Sequence, residues 1–317
     1  MTAVLVTGAS GFVGRGVCEQ LAAEDWKVLR VLRRDDAAAI PANSSVITVG
    51  DIGPSTDWEG RLSGVHAIVH LAARVHVMRE TATDPGAEFQ RVNVAGTEVL
   101  ARAAVRAGVS RFVFLSTVKV HGEKTTGRPF VESDTPRPED LYSISKWDAE
   151  RRLAVVARET GLEVTVLRSP LIYGPAVKGN FLSLLKLCAR GVPLPFASIE
   201  NSRSLVALDN LSGAICRSLA DPRAAGKTYL VSDGEDVSTP DLIRRLSKCL
   251  GRRPRLIPFP LGVLELGCRA VGHYAAYQRL TESLQVDSRA IAAELGWRPK
   301  SSLDEGLRKT VDWFVAR

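Results

Sequence analysis

The sequence predicts an α/β protein built on a Rossmann-like, doubly wound parallel sheet, with a smaller C-terminal substrate-binding domain. Three observations support this fold class. A short apolar run at the N-terminus leads through a glycine-rich turn into a helical pattern. Strand-like and helix-like segments then alternate as far as Arg168. After Pro170 this alternation stops, and glycines and prolines interrupt shorter segments.

The first strand, turn and helix form the most informative unit. Residues 2–7 are an apolar, β-branched run typical of a buried parallel strand, and Gly8, Gly11 and Gly14 follow at a spacing of three. In such a unit Gly8 permits the tight turn, Gly11 lets a pyrophosphate approach the backbone, and Gly14 lets the helix pack close to the strand. The free N–H groups of the helix N-terminus then face the ligand. We predict dinucleotide binding here; the alternative is an ordinary glycine turn.

The end of the second predicted strand, Lys27–Leu32, bears on the choice of cofactor. An NAD site usually has an acidic residue there to hold the ribose 2′-hydroxyl, whereas this chain has Arg33 and Arg34. Two guanidinium groups suit a 2′-phosphate, because arginine binds phosphate through paired, charge-assisted hydrogen bonds. We therefore predict NADP(H), with NAD(H) as the other possibility. In the alternative interpretation, both arginines are solvated and pair with Asp35 and Asp36.

The next two strands supply further residues at the same edge of the sheet. The third predicted strand, Val46–Val49, is followed by Asp51, a candidate acceptor for the adenine amino group. The fourth, His66–His70, leads into Leu71-Ala72-Ala73, where small residues let a cofactor lie flat across the strand ends.

A helix is predicted between Asp84 and Gly108, because an N-cap aspartate precedes Pro85 and a glycine closes the pattern. Asn93 lies in its middle, where a short amide side chain is a poor helix former. The sequence leaves open whether Asn93 is a functional residue or a solvated one.

Residues suited to proton transfer follow the fifth predicted strand, Arg111–Ser116, which brings Ser116 and Thr117 to the cofactor crevice. Tyr142 and Lys146 share one face of the next predicted helix, because they are four residues apart. A phenol has a pKa of about 10 in isolation. A neighbouring ammonium and a positively charged nicotinamide would lower that pKa. We predict that Tyr142 transfers a proton while Thr117 holds the same substrate oxygen, although a lone Tyr-x-x-x-Lys pair is common by chance.

The shorter, interrupted segments after Pro170 predict a domain that covers the substrate. Its predicted elements are an amphipathic segment, two strands and a helix, namely Phe181–Ala189, Ser204–Val206, Thr228–Val231 and Leu211–Ala220. We expect residues 1–170, with a return segment of about 206–231, to form the NAD(P)-binding domain. The remainder of residues 171–317 is then the substrate-binding domain.

Composition limits the remaining choices. The 317 residues are 45% hydrophobic, which is enough for a full core, and the five cysteines show no C-x-x-C spacing. We expect reduced thiols in the cytoplasm, no signal peptide and no membrane insertion, because no uncharged apolar stretch is long enough. His66, His70 and His76 are interpreted as packing or surface residues, and no metal site is predicted.

A net charge of +7 raises the question of nucleic acid. The arginines are scattered in pairs, and only 6% of residues are aromatic, which is poor material for stacking on bases. We therefore predict no nucleic-acid partner and interpret the charge as a basic surface that suits small anionic ligands.

The chain as a whole resembles the extended short-chain dehydrogenase/reductases that act on nucleotide sugars, the group that contains UDP-glucose 4-epimerase. The motifs that carry this resemblance span nearly the whole chain. They are Gly8-x-x-Gly11-x-x-Gly14, Asp51, His70-Leu-Ala-Ala73, Asn93 with Gly96-Thr97, Leu115-Ser-Thr117, Tyr142-x-x-x-Lys146, Leu167-Arg-Ser-Pro-Leu-Ile-Tyr-Gly-Pro175 and Leu295-Gly-Trp-Arg-Pro299. Residues 202–210 and 283–287 are similar to the branch found with bacterial surface-polysaccharide genes, which includes 4-ketoreductases making UDP-N-acetylquinovosamine-type sugars.

Carried over position by position, the resemblance implies three sets of site residues. The catalytic set is Thr117, Tyr142 and Lys146. The cofactor set is Gly8, Ser10, Gly11, Phe12, Val13, Gly14, Arg33, Arg34, Asp51, Ile52, Leu71, Ala72, Ala73, Asn93, Ser116 and Lys146, the last of which would hold the nicotinamide ribose. The substrate set is Thr117, Asn180, Arg203 and Arg279, with the latter three contacting the nucleotide and its diphosphate.

Two departures from the family pattern shape the functional prediction. Sugar-nucleotide 4,6-dehydratases follow the active-site threonine with Asp-Glu, whereas Val118 and Lys119 follow Thr117 here, so dehydration is disfavoured. Epimerases usually end the second strand in Asp and keep NAD bound. A chain built for NADPH suits net reduction, so we favour reduction of a UDP-4-keto-6-deoxy-N-acetylhexosamine for O-antigen synthesis over UDP-sugar 4-epimerisation. A non-catalytic NADP(H)-sensing protein is the remote alternative.

The resemblance also implies a homodimer. The helices of about residues 84–107 and 139–160 are the surfaces that pair as a four-helix bundle in relatives. Their outer faces carry four arginines in this chain, which are Arg102, Arg106, Arg151 and Arg158.

Overall fold

The computed structural model describes residues 2–34, 44–75 and 82–317. The predictions made for Asp35, Asp36 and His76 therefore concern residues outside the described part of the chain.

A seven-stranded parallel sheet forms the centre of the molecule, in the order β3-β2-β1-β4-β5-β6-β9. A second sheet of three strands has the order β10-β8-β7. The strands are β1 (Ala3–Thr7), β2 (Lys27–Leu32), β3 (Ser44–Thr48), β4 (Ala67–His70), β5 (Arg111–Thr117), β6 (Glu163–Ser169), β7 (Leu171–Tyr173), β8 (Arg203–Ala207), β9 (Thr228–Leu230) and β10 (Asp236–Val237). The strand order reverses between β1 and β4, which is the switch point of a doubly wound fold. The predicted fold class is confirmed.

Helices connect these strands and cover both faces of the central sheet. Within the described residues they are α1 (Phe12–Ala23), α2 (Pro85–Phe89), α3 (Gly96–Arg106), α4 (Leu141–Thr160), α5 (Gly179–Arg190), α6 (Leu208–Ala220), α7 (Thr239–Cys249), α8 (Leu261–Ala270), α9 (Tyr274–Thr281), α10 (Arg289–Leu295) and α11 (Leu303–Val315).

The alternation of side chains along each strand divides the core into two layers. Val4 and Val6 of β1 pack with α1 and α6 on one face, whereas Leu5 between them packs with α3 and α4 on the other. A parallel strand covered on both faces needs apolar residues at successive positions, and all five residues of β1 are buried. This is why the N-terminal run has no polar alternation.

The small sheet and its helices form a third core next to the ends of the central strands. Tyr173 of β7, Phe181 of α5, Leu205 of β8 and Leu307 of α11 are buried together there. The chain leaves the central sheet after β6, builds β7, α5 and β8, and returns through α6 to add β9 beside β6. The predicted return segment of about 206–231 therefore begins within the small sheet, where β8 pairs with β7, and reaches the large sheet through α6.

The helix predicted after Asp84 differs from expectation in one respect. Asp84 caps it as predicted, with Oδ1 accepting the Ala87 N–H at 3.0 Å. Its middle, Gln90–Ala95, is a π-helical segment that joins α2 to α3. A π-helical turn is rare and is frequently found at functional sites, and Asn93 lies inside this one.

Two further observations concern the whole chain. All five cysteines are free. Among the described residues, no helix combines the length and the apolar character needed to cross a membrane.

Candidate functional site

The candidate site lies where β1, β4 and β5 end at the carboxyl edge of the central sheet. These three strands are neighbours in the sheet, so the glycine turn after β1, Leu71 after β4 and Thr117 at the end of β5 are brought together. The switch point of such a sheet opens a crevice at this edge, because the connections on its two sides run to opposite faces.

The glycine turn is shaped by close backbone contacts. Gly8 has a φ of +67°, and a Cβ placed on it would lie 2.8 Å from the backbone nitrogen of Ala72. A Cβ on Gly14 would collide with the carbonyl oxygen of Gly8, so α1 packs against the turn as the spacing predicts. The Gly11 N–H donates to the Gly8 carbonyl at 2.9 Å and closes the turn.

The N-terminus of α1 fits the diphosphate of a dinucleotide. Its N-cap is Gly11, no side chain caps it, and its first turn carries no acidic residue in the described chain. The opposite side of the crevice is fixed by Thr7, whose Oγ1 accepts the N–H groups of Leu71 and Ala72 at 3.2 Å each. The backbone N–H groups and the helix dipole at this end favour an anion.

Arg33 and Arg34 lie exposed at the end of β2, where the sequence places them. Arg33 Nη1 is 3.5 Å from Asp51 Oδ1, with the two side chains 80% and 71% exposed. An ion pair this exposed contributes little to stability, so the Arg33 guanidinium and the Asp51 carboxylate both remain available to a ligand. The partner of Arg33 within the described chain is thus Asp51, the residue that the sequence assigns to the adenine.

Asn93 is buried, so the interpretation of it as a solvated residue is wrong. Its Oδ1 accepts the Arg74 N–H at 2.7 Å, and its Nδ2 donates to the Arg74 carbonyl at 3.0 Å and to Ser145 Oγ at 2.9 Å. Asn93 therefore holds the backbone that follows β4 and ties it to α4. This is the same backbone that lines the cofactor crevice.

His70 belongs to a directed chain of buried hydrogen bonds behind the crevice. Thr7 Oγ1 lies 2.7 Å from His70 Nδ1, His70 Nε2 lies 2.9 Å from Thr97 Oγ1, and Thr97 donates to the Asn93 carbonyl at 2.7 Å. Since Thr97 donates to Asn93, it accepts from His70, and the imidazole is neutral with its proton on Nε2. Burial, assisted by the Lys146 ammonium, lowers the pKa of His70 to about 3.

Lys146 is buried on α4, directly beneath the strand ends. Its side chain lies against β5, with Nζ 3.8 Å from the centroid of the Phe114 ring, and the residue is 2% exposed. Burial lowers the pKa of Lys146 to about 7, while the nearby carboxylate of Glu150 opposes that shift. A cation over an aromatic face is a stabilising arrangement when it is removed from water.

Tyr142 stands one helical turn before Lys146 at the start of α4. Its ring meets Phe89 edge-on at 6.4 Å, and its side chain is half-buried. Burial, with Asp140 as a second cause, raises the pKa of Tyr142 to about 12. The sequence predicts a pKa lowered by the Lys146 ammonium and a bound nicotinamide, whereas within the protein itself burial is the dominant influence and raises it.

Thr117 ends β5 at the mouth of the crevice and is 8% exposed. Its Oγ1 accepts the Lys119 N–H at 3.3 Å and caps the short 3₁₀ turn Val118–Val120. The Lys119 ammonium in turn contacts Glu123 at 2.9 Å and Asp140 at 3.1 Å. The two positions after Thr117 are therefore occupied by a buried valine, Val118, and by a lysine whose ammonium is paired, Lys119.

A buried ionic network beneath the site is not identified from the sequence. Arg168 of β6 donates to both carboxylate oxygens of Glu150 and contacts His121 Nε2 at 2.8 Å. Ser116 Oγ donates to Glu150 at 2.5 Å. The signal that could have found it is spacing, because Glu150 lies four residues after Lys146 on the buried face of α4.

The predicted substrate residues come from the C-terminal half. Arg203 of β8 is half-buried and donates to the Glu282 carbonyl at 2.8 Å. Burial lowers its pKa, while the carboxylates of Glu282 and Glu123 oppose that shift and the charge of Arg279 adds a smaller lowering effect. Asn180 is exposed in the first turn of α5. The contact of Asn180, Arg203 and Arg279 with a ligand stays a prediction.

Comparison with known families gives one clear match. The profile of the NAD dependent epimerase/dehydratase family matches residues 4–232, which cover the central sheet from β1 to β9.

Individual proteins resemble the whole chain. A UDP-glucose 4-epimerase of Vibrio cholerae is 40% identical over 315 residues, covering 98% of this chain and 95% of that protein. A dTDP-glucose 4,6-dehydratase of Streptomyces antibioticus is 30% identical over 329 residues, covering 98% and 92%. The solved structure of MoeE5 in complex with UDP-glucose and NAD superposes with a TM-score of 0.79 at 25% identity, covering 99% of both chains.

Proposed function

The chain belongs to the NAD-dependent epimerase/dehydratase family, and from this we propose that it is a nucleotide-sugar oxidoreductase acting at C4 of a UDP-linked hexose. The reaction we favour is the NADPH-dependent reduction of a UDP-4-keto-6-deoxy-N-acetylhexosamine for surface polysaccharide synthesis. The observation that carries reduction over epimerisation is the end of β2, where Arg33 and Arg34 replace an acidic residue. A site for the 2′-phosphate favours NADPH over NADH. NADPH enters such a reaction reduced and leaves it oxidised, which suits net reduction of the sugar.

The residues present fit a nicotinamide dinucleotide. The turn at Gly8 and the start of α1 would hold the diphosphate, Arg33 and Arg34 the 2′-phosphate, and Lys146 the ribose next to the nicotinamide. When bound, the reduced cofactor supplies the hydride for C4. The fit rests on backbone close enough to Gly8 and Gly14 that no side chain is tolerated there.

In this reduction the chain's own task is to protonate the oxygen at C4. Tyr142 keeps its proton throughout the neutral range because its pKa is raised to about 12, so it is ready to act as the acid. Thr117 would donate a hydrogen bond to the same oxygen and fix its position. Lys146 would supply positive charge next to the phenol as the proton leaves.

The substrate would be held from the C-terminal side. We propose that Arg203 and Arg279 neutralise the diphosphate, with Asn180 contacting the nucleotide. The residues after 170, apart from the return segment of about 206–231, then form the nucleotide-sugar-binding domain. The half-buried position of Arg203 supports this, since a guanidinium binds diphosphate oxygens through charge-assisted hydrogen bonds.

The relatives include 4,6-dehydratases, but the residues after Thr117 argue against elimination of water here. Val118 is 1% exposed, and Lys119 is paired with Glu123 and Asp140. Neither offers the acid and base that elimination across C5–C6 requires.

A second candidate is UDP-sugar 4-epimerisation with bound NAD, as in UDP-glucose and UDP-galactose or their N-acetyl derivatives. The observation that favours it is the 40% identity to a UDP-glucose 4-epimerase along nearly the full chain. The same Tyr142 would then first remove the proton from the 4-hydroxyl group.

Stoichiometry separates the two reactions. The purified protein is incubated with a 4-keto UDP-sugar and NADPH, and separately with UDP-glucose or UDP-N-acetylglucosamine alone. Reduction consumes one NADPH per product, whereas epimerisation converts the sugar with no net change in nicotinamide absorbance. Sugar interconversion without NADPH consumption would replace reduction by epimerisation. Tight NADPH binding without either activity would point to the NADP(H)-sensing alternative.

A further inference from the structure

Helix α8 turns an apolar stripe towards solvent. Val263 and Leu266 are 56% and 70% exposed, and Val271, just beyond the helix, is 66% exposed. Gly267 and Ala270 are exposed on the same side, because residues three, four and seven apart share a helix face. Every residue of α8, which lies wholly within the described range 82–317, is exposed or half-buried.

Two further exposed apolar residues lie in paired segments, one of which leads into α8. Ile257 is 45% exposed and Val192 is 42% exposed, and their segments lie side by side because the Ile257 N–H donates to the Leu194 carbonyl at 3.0 Å. Five of the nine large apolar residues that are exposed in the described chain therefore lie in this one region. A concentration of exposed apolar residues in one region is typical of an interaction surface, whereas singly scattered ones are not.

The α8 region also carries positive charge. Residues 252–271 have four arginines and one carboxylate, that of Glu265, for a net charge of +3. Arg269 pairs with Glu265. Arg252, Arg253 and Arg255 are exposed and have no ion-pair partner among the described residues.

We propose that α8 and the basic segment before it form a docking surface for an anionic lipid bilayer. The apolar stripe of α8 would enter the interface between headgroups and acyl chains, and the arginines would contact anionic headgroups. The helix has 10 residues, which suits lying in the plane of the interface and is too short for crossing it. We name this surface, residues 252–271, the α8 face.

Charge and chemistry favour a bilayer over the other occupants. A second copy meeting the α8 face with its own would oppose two clusters of like charge. An RNA would satisfy the arginines but would leave the stripe of Val263 and Leu266 without an apolar partner. An anionic bilayer supplies an apolar interior and a negative surface together, which are the two features the α8 face presents.

The test is cosedimentation of the full-length protein with vesicles. Vesicles of equal parts phosphatidylglycerol and phosphatidylcholine should retain the protein, and vesicles of phosphatidylcholine alone should not. Leu266→Asp should weaken retention by about tenfold or more, because it removes an apolar anchor and adds a negative charge. Arg252→Glu combined with Arg253→Glu should weaken it at least as strongly, since each basic residue near the surface contributes about fivefold.

Matched variants keep the result specific. Val315→Asp changes a residue that is 67% exposed on α11, and Arg106→Glu reverses an exposed charge at the end of α3. Both should bind vesicles as the unchanged protein does, and all four variants should retain its turnover, which shows that they fold. Failure of the unchanged protein to bind anionic vesicles, or equal binding to neutral ones, would overturn the proposal. So would a dimer that Leu266→Asp converts to monomer while vesicles retain neither form, because the α8 face would then be a contact between copies.

Discussion

At the scale of single residues, burial sets the protonation states of the site in a way that suits one direction of the chemistry. It raises the pKa of Tyr142 to about 12 and lowers that of Lys146 to about 7, so the phenol is protonated and the amine is only partly charged at neutral pH. A protonated phenol is ready to give up a proton. A phenolate, which oxidation of a hydroxyl requires, would need additional positive charge next to it.

Replacing Tyr142 with phenylalanine tests its role in either reaction. Turnover should fall by roughly a hundredfold or more, the usual size of a general acid–base contribution. Binding of NADPH should persist, because the ring can still pack against Phe89 and Lys146 is unchanged. Steady-state kinetics and cofactor fluorescence give the two readouts. Tyr229→Phe, on edge strand β9, is the matched control, since it removes a phenol hydroxyl that donates to Glu294 of α10. Normal turnover in the Tyr142 variant would refute both proposed reactions.

His70 makes the stability of the protein depend on acid pH. Its pKa is about 3 in the folded chain, against about 6.5 when unfolded, so between these values the unfolded state binds more protons. The free energy of unfolding should therefore fall as pH falls through this window, by roughly 1 kcal/mol per pH unit for this residue. His121, with a pKa of about 4, adds a similar dependence from its own burial.

The measurement is urea unfolding between pH 4, about the pKa of His121 in the folded chain, and pH 6.5, the pKa of an unfolded histidine. His70→Gln should flatten the pH dependence by the share of one histidine, whatever its effect on stability at neutral pH. His273→Gln, at an exposed position, should leave the dependence unchanged. An unaltered slope in the His70 variant would mean that the imidazole takes up its proton in the folded state.

The site residues that could be predicted are those whose positions depend on local sequence spacing. Gly8, Gly14, Thr117, Tyr142 and Lys146 stand at fixed distances from strand or helix ends, so their placement at the crevice follows from the sequence. Other positions depend on tertiary partners. Asn93 is fixed by the Arg74 backbone and Ser145, and Glu150 by Arg168 of β6. Spacing can place Glu150 on the buried face of α4, but it does not identify Arg168 as the partner.

At the scale of elements, the strands were more predictable than the segments between them. The bounds of β2 agree with expectation, and β1 and β5 each differ by one residue at one end. The π-helical segment Gln90–Ala95 was not expected, because helical periodicity in a sequence does not distinguish a wide turn from a regular one. That turn is where Asn93 reaches the backbone after β4, so the irregular element is the one that shapes the crevice.

The end of β2 supports a prediction about cofactor choice. Arg33→Ala combined with Arg34→Ala should raise the Michaelis constant for NADPH far more than that for NADH, because only NADPH carries the 2′-phosphate. Both side chains are exposed, so the fold should not be affected. Kinetics with each cofactor measures the ratio. Arg106→Ala, an exposed arginine at the end of α3, serves as the control. Equal changes for both cofactors would show that neither arginine meets the phosphate.

At the scale of the whole molecule, the doubly wound topology explains why the site can be assembled from distant parts of the chain. The order β3-β2-β1-β4-β5-β6-β9 places the glycine turn after β1 and Thr117 of β5 at the same edge with only β4 between them, although more than 100 residues separate them along the chain. The return of the chain to add β9 holds the small sheet, with Arg203, near the same edge. The sequence predicted the large sheet, but not that β8 pairs in a second sheet, because short strands carry no mark of their partner.

The last prediction concerns assembly through α3 and α4. Their outer faces carry arginines, yet Arg102 contacts Glu98 and Glu159 at 3.0 Å each and Arg151 contacts Asp148 at 2.6 Å, so part of that charge is neutralised within one copy. Such a face can meet its own copy in a four-helix bundle, and we predict a homodimer by light scattering at micromolar concentration. Ala154→Arg, at an exposed position on the side of α4 away from the core, should shift the protein towards monomer, whereas Ala316→Arg near the C-terminus should not. A monomer in the unchanged protein would refute the dimer and leave the catalytic proposal intact, because the residues assigned to the site all come from a single chain.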